Sequence, residues 1–226
     1  MIRNMAVLLA VIGLVAMFLP MVTDFQEREN LNELAADYVE GSINDLNTPN
    51  VVTSVIVTYR GLDTLGEVTV LFLATVGVGL LLKGRKEDMI RISSSELLGT
   101  TSSVLVAMIM ILGIYIFTHG HLTPGGGFQG GVVIASGFLL MLLSNVNVKM
   151  NHSIMHFVES FSGVAYVGIG VAGLVLAIGF LNPGILPLGR FGELFSAGAI
   201  PVIYSLIGLK VGSELTSILV TMGGEK

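Results

Sequence analysis

Four ionisable side chains of this chain sit inside long apolar runs: Glu67, Glu159, Lys210 and Glu214. Charged groups are costly at membrane depth, so they mark proton or cation handling, or a buried ion pair, more often than decoration. Lys210 and Glu214 are four residues apart and share a face of a helix. Glu159 follows His152 and His156 at spacings of seven and three, again on one helical face. Arg60, Asp63 and Glu67 are spaced three and then four apart and would line one face as well. The trio can be read as an interfacial salt bridge that ends a helix. It can also be read as a carboxylate, Glu67, that enters the membrane and is tuned by Arg60 and Asp63.

The elements that must carry these groups follow from composition. Hydrophobic residues make up 53% of the 226 and charged residues 12%. A soluble domain carries roughly 25% charged residues, so this chain lacks the charge to coat a water-facing surface. The absence of cysteine removes disulfides, thiolate metal sites and cysteine nucleophiles. A formal net charge of −5 argues against nucleic acid as a partner. The expected class is all-α, a polytopic transmembrane helix bundle.

Six apolar stretches approach the roughly 20 residues that a span requires: 5–22, 65–82, 97–117, 128–143, 154–181 and 194–220. The first is read as a retained span, since no small-x-small cleavage site follows it. With the N-terminus inside, Arg3, Lys83, Arg85, Lys86, Arg91, Lys149 and Lys226 fall on the inner side, and Arg28, Arg60 and Arg190 outside. The bias predicts cytoplasmic termini. The acidic stretch after the first span predicts a short helix over 27–39 and an irregular turn over 44–50. It is a solvated loop or, alternatively, a funnel that attracts cations. A charged stretch from Lys83 to Ser95 divides the chain into a two-span segment, 1–90, and a four-span segment, 91–226. Ser93 and Glu96 have capping-box spacing for the third helix. At a rise of about 1.5 Å per residue, Glu159 lies roughly 7–8 Å into the membrane, Glu214 roughly 9 Å and Lys210 roughly 15 Å. Glu159 can meet the Lys210–Glu214 pair if the fifth and sixth helices adjoin.

Between the third and fourth spans the chain reads Thr118-His-Gly-His-Leu-Thr-Pro-Gly-Gly-Gly-Phe-Gln-Gly-Gly131. Three glycines after a proline cannot sustain a helix; they turn sharply and admit close backbone approach. A phosphate loop would want Gly-Lys-Ser/Thr next, and it is missing. His119 and His121, two apart, point to different sides of a helix, so a metal site is not expected there; His121 as a proton relay is an alternative to a packing hairpin. His152 and His156 have zinc-compatible spacing, but no fourth ligand is evident and no metal is expected.

Two strings carry a family resemblance. Tyr59-Arg-Gly-Leu-Asp-Thr-Leu-Gly-Glu67 resembles the C-terminal region of the large A subunit of Mrp-type Na⁺/H⁺ antiporters, and the small E subunit of archaeal membrane-bound hydrogenases. This likeness covers the first ninety or so residues. Gly120-His121-Leu-Thr-Pro124-Gly125-Gly126-Gly127-Phe128-Gln-Gly130-Gly131 resembles the signature of the MnhB family, the B subunit of Mrp antiporters. Residues from about Ser94 to Thr221 fit that family's four-span plan.

The resemblance implies two neighbouring subunits fused into one chain. It implies an accessory membrane subunit of a cation/proton-translocating complex in a bacterial or archaeal cell membrane, with other membrane subunits as partners, Na⁺ or H⁺ as the transported ion and no cofactor. The chain would help assembly and form part of the ion path, with Glu67 the first candidate and Asp63, Arg60, Glu159, Lys210 and Glu214 beside it. It would not be an enzyme on its own; in a hydrogenase-like or sulfur-reducing complex the redox chemistry would lie on other chains. The alternative is a purely structural scaffold that handles no ion.

Overall fold

A computed structural model describes residues 2–23, 31–82, 94–144 and 150–223. Every regular element among them is helical, and six helices are long and apolar enough to cross a membrane. The bulk of the charged hinge at 83–93, with Ser93, lies outside the described residues, as do Arg28 and Lys149. The chain forms two compact units, Met1–Ala36 and Asp37–Lys226.

The first unit contains α1 (Ile2–Thr23), which is apolar all round. Its described side chains are exposed within the chain, as suits a helix covered by lipid or by another protein chain. The acidic helix, expected over 27–39, is α2 (Glu33–Asn44). It starts later because Asn32 caps it, its side-chain oxygen accepting from the Ala35 amide at 2.8 Å.

The second unit is built around its last helix. It comprises most of α2, α3 (Val51–Ser54), a π-helical turn (Val55–Tyr59), α4 (Gly61–Leu82), α5 (Glu96–Thr118), α6 (Gly127–Ser144), α7 (His152–Leu176), a 3₁₀ turn (Pro183–Ile185) and α8 (Ile200–Met222). α4, α5, α6 and α7 each pack against α8. Its Ile200, Ile203, Tyr204, Ile207, Val211 and Val220 are buried, although its composition is no more apolar than that of its neighbours.

Three boundaries differ from the sequence expectation. α4 begins at Gly61, ahead of the apolar stretch expected from 65, so Asp63 and Glu67 are helical as their spacing suggested while Arg60 is not. The cap of α5 is Ser95, whose hydroxyl accepts from the Leu98 amide at 3.2 Å, in place of the Ser93–Glu96 pairing. The apolar stretch from Ala177 to Ala199 is a folded loop rather than the end of one span and the start of the next. Ile178, Leu181 and Ala197 have φ of 59°, 58° and 62°, and α8 starts only where Pro201 provides a first-turn residue.

Glycines set how close α6 comes to its neighbours. A Cβ on Gly131 would lie 2.8 Å from Val211 Cβ and 2.9 Å from the Gly208 carbonyl oxygen of α8. A Cβ on Gly130 would lie 2.7 Å from the Gly113 carbonyl oxygen of α5. Adjacent glycines thus let one helix touch two others at backbone distance, the small-residue mode of membrane packing. Gly131→Val is expected to lower stability by about 1–3 kcal/mol, the usual range for overpacking. Gly66→Ala, with nothing within 4 Å of its Cβ position, is expected to be silent. Thermal unfolding of the two variants in lipid nanodiscs checks the contrast.

Candidate functional site

The ionisable groups of α7 and α8 converge. Lys210 Nζ donates to Glu214 Oε1 at 2.7 Å within α8. The Lys210 side chain is 12% exposed and that of Glu214 0%. The ammonium lies 5.2 Å from the centre of the Phe72 ring of α4, a cation–π contact that suits a poorly hydrated cation. Gly163 of α7 leaves room for it: a Cβ there would sit 3.4 Å from Lys210 Nζ. Glu159 of α7 lies within electrostatic reach of Glu214, and His156 Nδ1 is 3.5 Å from Glu159 Oε2. Among the described residues the ion pairs that form here are His156–Glu159 and Lys210–Glu214, and Glu159 makes no hydrogen bond or ion pair with Lys210 or Glu214. Glu214 Oε2 is buried and has no hydrogen-bond partner.

The α4 trio comes together only in part. Arg60 pairs with Asp63, Nε donating to Oδ2 at 2.6 Å, and both side chains are largely exposed. Glu67 does not join them. Arg60 precedes α4 with φ −120° and ψ 33°, so the helical face assumed for all three does not extend to it. Among the described residues Glu67 makes no hydrogen bond or ion pair, and its neighbour is the electrostatic partner Tyr166 of α7. Its carboxylate is exposed on the side of the chain. Tyr166 is buried and its hydroxyl donates to the Gly61 carbonyl at 3.4 Å.

The glycine hairpin joins the two parts of the second unit. Gly125 and Gly126 have φ of 153° and 155°, conformations that L side chains rarely adopt. Pro124 is exposed at the tip, and Phe128 packs against the core. Asn50 reaches the hairpin from the α2–α3 connection. Its Nδ2 donates to the Gly120 and Thr123 carbonyls at 2.8 and 2.9 Å, and its amide donates to the His121 carbonyl at 3.1 Å. Thr53 Oγ1 adds a bond to Gly120 O at 2.6 Å. Sequence reasoning missed Asn50; the signal was its position three before Thr53, as a helix cap. His119 stacks on Tyr115 at 4.2 Å. His121 is fully buried, and neither ring nitrogen has a hydrogen-bond partner. Burial pushes its imidazole below the ordinary range, and His119 adds to this; the nearby backbone of Glu193, Leu194 and Thr118 opposes it.

Two groups in this geometry can be tested by unfolding. Lys210→Met leaves Glu214 buried without its counter-charge, so it is expected to cost about 3 kcal/mol or more. The double variant Lys210→Met/Glu214→Met should cost less than this single change; thermal unfolding of the three proteins measures it. For His121 the folded pKa is depressed, so its stability contribution is intact above the ordinary value of about 6.5. As pH falls below that value, the unfolded chain takes up a proton that the fold resists, and stability drops. His121→Gln is expected to flatten this dependence in unfolding curves recorded across that range.

Comparison with known proteins assigns this architecture. Residues 97–217 match the model of a domain related to the MnhB subunit of Na⁺/H⁺ antiporters. Residues 1–94 match the model of MbhE, the E subunit of MBH. A chain of the archaeal membrane-bound sulfane sulfur reductase, a respiratory membrane complex, superposes with a TM-score of 0.84 at 38% identity, over 98% of both chains. A chain of the Mrp complex from a Dietzia species has the same fold, with a TM-score of 0.77 at 24% identity; the match covers 99% of this chain and 26% of that one. The B subunit of the Bacillus subtilis Na⁺/H⁺ antiporter is 35% identical over 86 residues, 38% of this chain and 54% of that protein. The chain is a multi-pass membrane protein of the MnhB-related family, carrying an MbhE-like segment ahead of its MnhB domain.

Proposed function

We propose that this chain, a subunit of an Mrp-type antiporter or of a related membrane-bound respiratory complex, helps to assemble that complex and forms part of its path for Na⁺ or H⁺. The observation that carries the proposal is Glu67. It is a carboxylate within a span, exposed sideways and without an ion pair among the described residues. An ionisable group at that depth faces protein or a water-filled cavity rather than lipid. A neighbouring membrane protein covering α4 would supply that environment and bring the carboxylate to a shared interface. The Lys210–Glu214–Glu159 cluster continues the polar groups toward the end opposite the hairpin.

The proposal includes the 1–90 and 91–226 division as the boundary between two fused subunit types, and cytoplasmic termini, from the basic residues of the loops. It includes no cofactor on this chain. The hairpin and its Asn50 anchor serve assembly. In the intact complex, Glu67→Gln is expected to reduce Na⁺/H⁺ exchange by about tenfold or more, equivalent to about 1.4 kcal/mol in the barrier, with assembly unchanged. Unchanged exchange would remove Glu67 from the path. Lost assembly would favour the scaffold role.

A further inference from the structure

A cavity of about 520 Å³ opens where α5 ends and α8 begins. Leu186, Leu194 and Phe195 of the 177–199 loop form one wall, and Thr118, Val202 and Ser205 close it from the two helices. Among the described residues no charged side chain lines it. Its two hydroxyls are already spent within their own helices. Thr118 Oγ1 donates to the Ile114 carbonyl at 2.8 Å, and Ser205 Oγ donates to the Pro201 carbonyl at 2.8 Å. A polar ligand would lose its hydration there and find no donor in exchange. An apolar ligand loses nothing. A membrane span is too large, since a helix with its side chains is about 10–12 Å across. An apolar cavity of about 150 Å³ takes one benzene, and on that scale this one takes on the order of twenty carbon atoms.

The surroundings of the cavity fit one kind of apolar ligand. A second cavity, of about 240 Å³, lies further along α8 and is lined by Leu209 and Ser213. Val202, Ser205, Leu209 and Ser213 are spaced three, four and four apart, so both cavities open on one face of α8. Val202 to Ser213 covers roughly 16 Å at about 1.5 Å per residue. That is about half of a hydrocarbon core roughly 30 Å thick, the depth of one leaflet. At the hairpin end, Arg190 lies on the loop between the lining residues Pro187 and Leu194. The Glu193 amide donates to the Arg190 carbonyl at 3.1 Å, and the Ala197 amide donates to the Leu188 carbonyl at 2.9 Å, so this part of the loop is folded back on itself. The Arg190 side chain is 87% exposed, and Glu193 approaches it only to 4.0 Å. Its guanidinium fork is thus open to a phosphate. Phe195 is 86% exposed although it lines the cavity, an arrangement that suits a lipid boundary and is costly in water.

We propose that one phospholipid of the leaflet on the hairpin side is a ligand of this chain. Its acyl chain fills the cavity and follows the open face of α8 inward, and Arg190 holds its phosphate. The acyl chain completes the packing of the loop against α5 and α8. The site is separate from Glu67 and from the Lys210–Glu214 pair, and it does not depend on either of them handling an ion.

The chain contains no tryptophan, so a single introduced one is an unambiguous reporter. Phe195→Trp places it at the cavity, and Phe161→Trp places it on an exposed face of α7 as a control for ordinary lipid. The full chain, purified in detergent and stripped of lipid, is titrated with a phospholipid brominated on its acyl chains, and fluorescence quenching is read. Quenching of Phe195→Trp is expected to saturate near one lipid per chain, whereas Phe161→Trp should need about tenfold more lipid. Arg190→Gln, added to Phe195→Trp, should raise the half-saturating lipid concentration by about tenfold, as loss of a charge-assisted phosphate contact does. Ser205→Phe, added in the same way, fills the cavity and should abolish the saturable quenching. Parallel quenching of the two reporters means that lipid only coats the chain, and it overturns the proposal. An unchanged titration with Arg190→Gln overturns the phosphate contact; this residue is exposed, so its replacement leaves the fold intact. Saturable quenching that survives Ser205→Phe overturns the placement of the acyl chain. In the assembled complex, a Phe195→Trp reporter that no brominated lipid quenches shows a neighbouring subunit in the groove, and it overturns lipid as the occupant.

Discussion

Close approach of α6 to α8 is the constraint on which the second unit depends. Between apolar helices in lipid there is little hydrophobic force, because lipid tails cover a leucine as well as a neighbouring helix does. Contact must be gained by backbone proximity and by groups that lipid cannot satisfy. Gly127 and Gly131 supply the first, lying against Ile207, Gly208 and Val211. The Lys210–Glu214 pair supplies the second, because α8 can carry it only where α7 and α4 shield it from the bilayer. The two devices sit close together along the same helix, and α8 is the most enclosed span.

The two ends of the bundle work differently. At the hairpin end, order comes from neutral hydrogen bonds to backbone carbonyls: Asn50 and Thr53 to the hairpin, and Asn47 to the carbonyls of Leu188 and Gly189 at 3.1 and 2.8 Å. These bonds bring the segment before α4 against loops of the MnhB domain, so the two parts are joined by geometry as well as by the chain. Away from the hairpin, order comes from charge. The π-helical turn lies at the junction. It leaves the Ile56 carbonyl to accept from Thr64 Oγ1 at 2.6 Å, which tucks the start of α4 under the turn. Such turns collect at functional sites, and this one lies just ahead of Glu67.

The spans and their number were legible because apolar runs of that length have few alternatives. The pairing of Lys210 with Glu214 was also legible from their four-residue spacing, whereas Glu159 pairs with His156 on its own helix. Less was legible where hydrophobicity and helicity part company. The stretch after Leu176 is apolar yet folds as a loop, because Ile178, Leu181 and Ala197 take left-handed conformations that composition does not announce. Arg60, Asp63 and Glu67 looked like one face because spacing assumes a continuous helix; a break at Arg60 separates the first from the third. The hydrogen bonds of Asn50 span some seventy residues of sequence, and no local pattern encodes a partner at that distance. The lateral exposure of Glu67 could not be read at all, since it depends on which face of α4 the rest of the chain leaves uncovered.

The hub position of α8 also has a meaning for how the protein is made. Membrane spans enter the bilayer in the order of synthesis, and α8 is the last of the six in chain order. α5 and α6 touch each other directly and can settle as a hairpin early. α4 and α7 find their main described partner in α8, so they must wait in the bilayer as loosely held helices until it arrives. During that interval Glu159 is without the surroundings of the finished bundle. Biogenesis of this chain is thus a late closure, in which one helix completes the burial of Glu159, inserted before it.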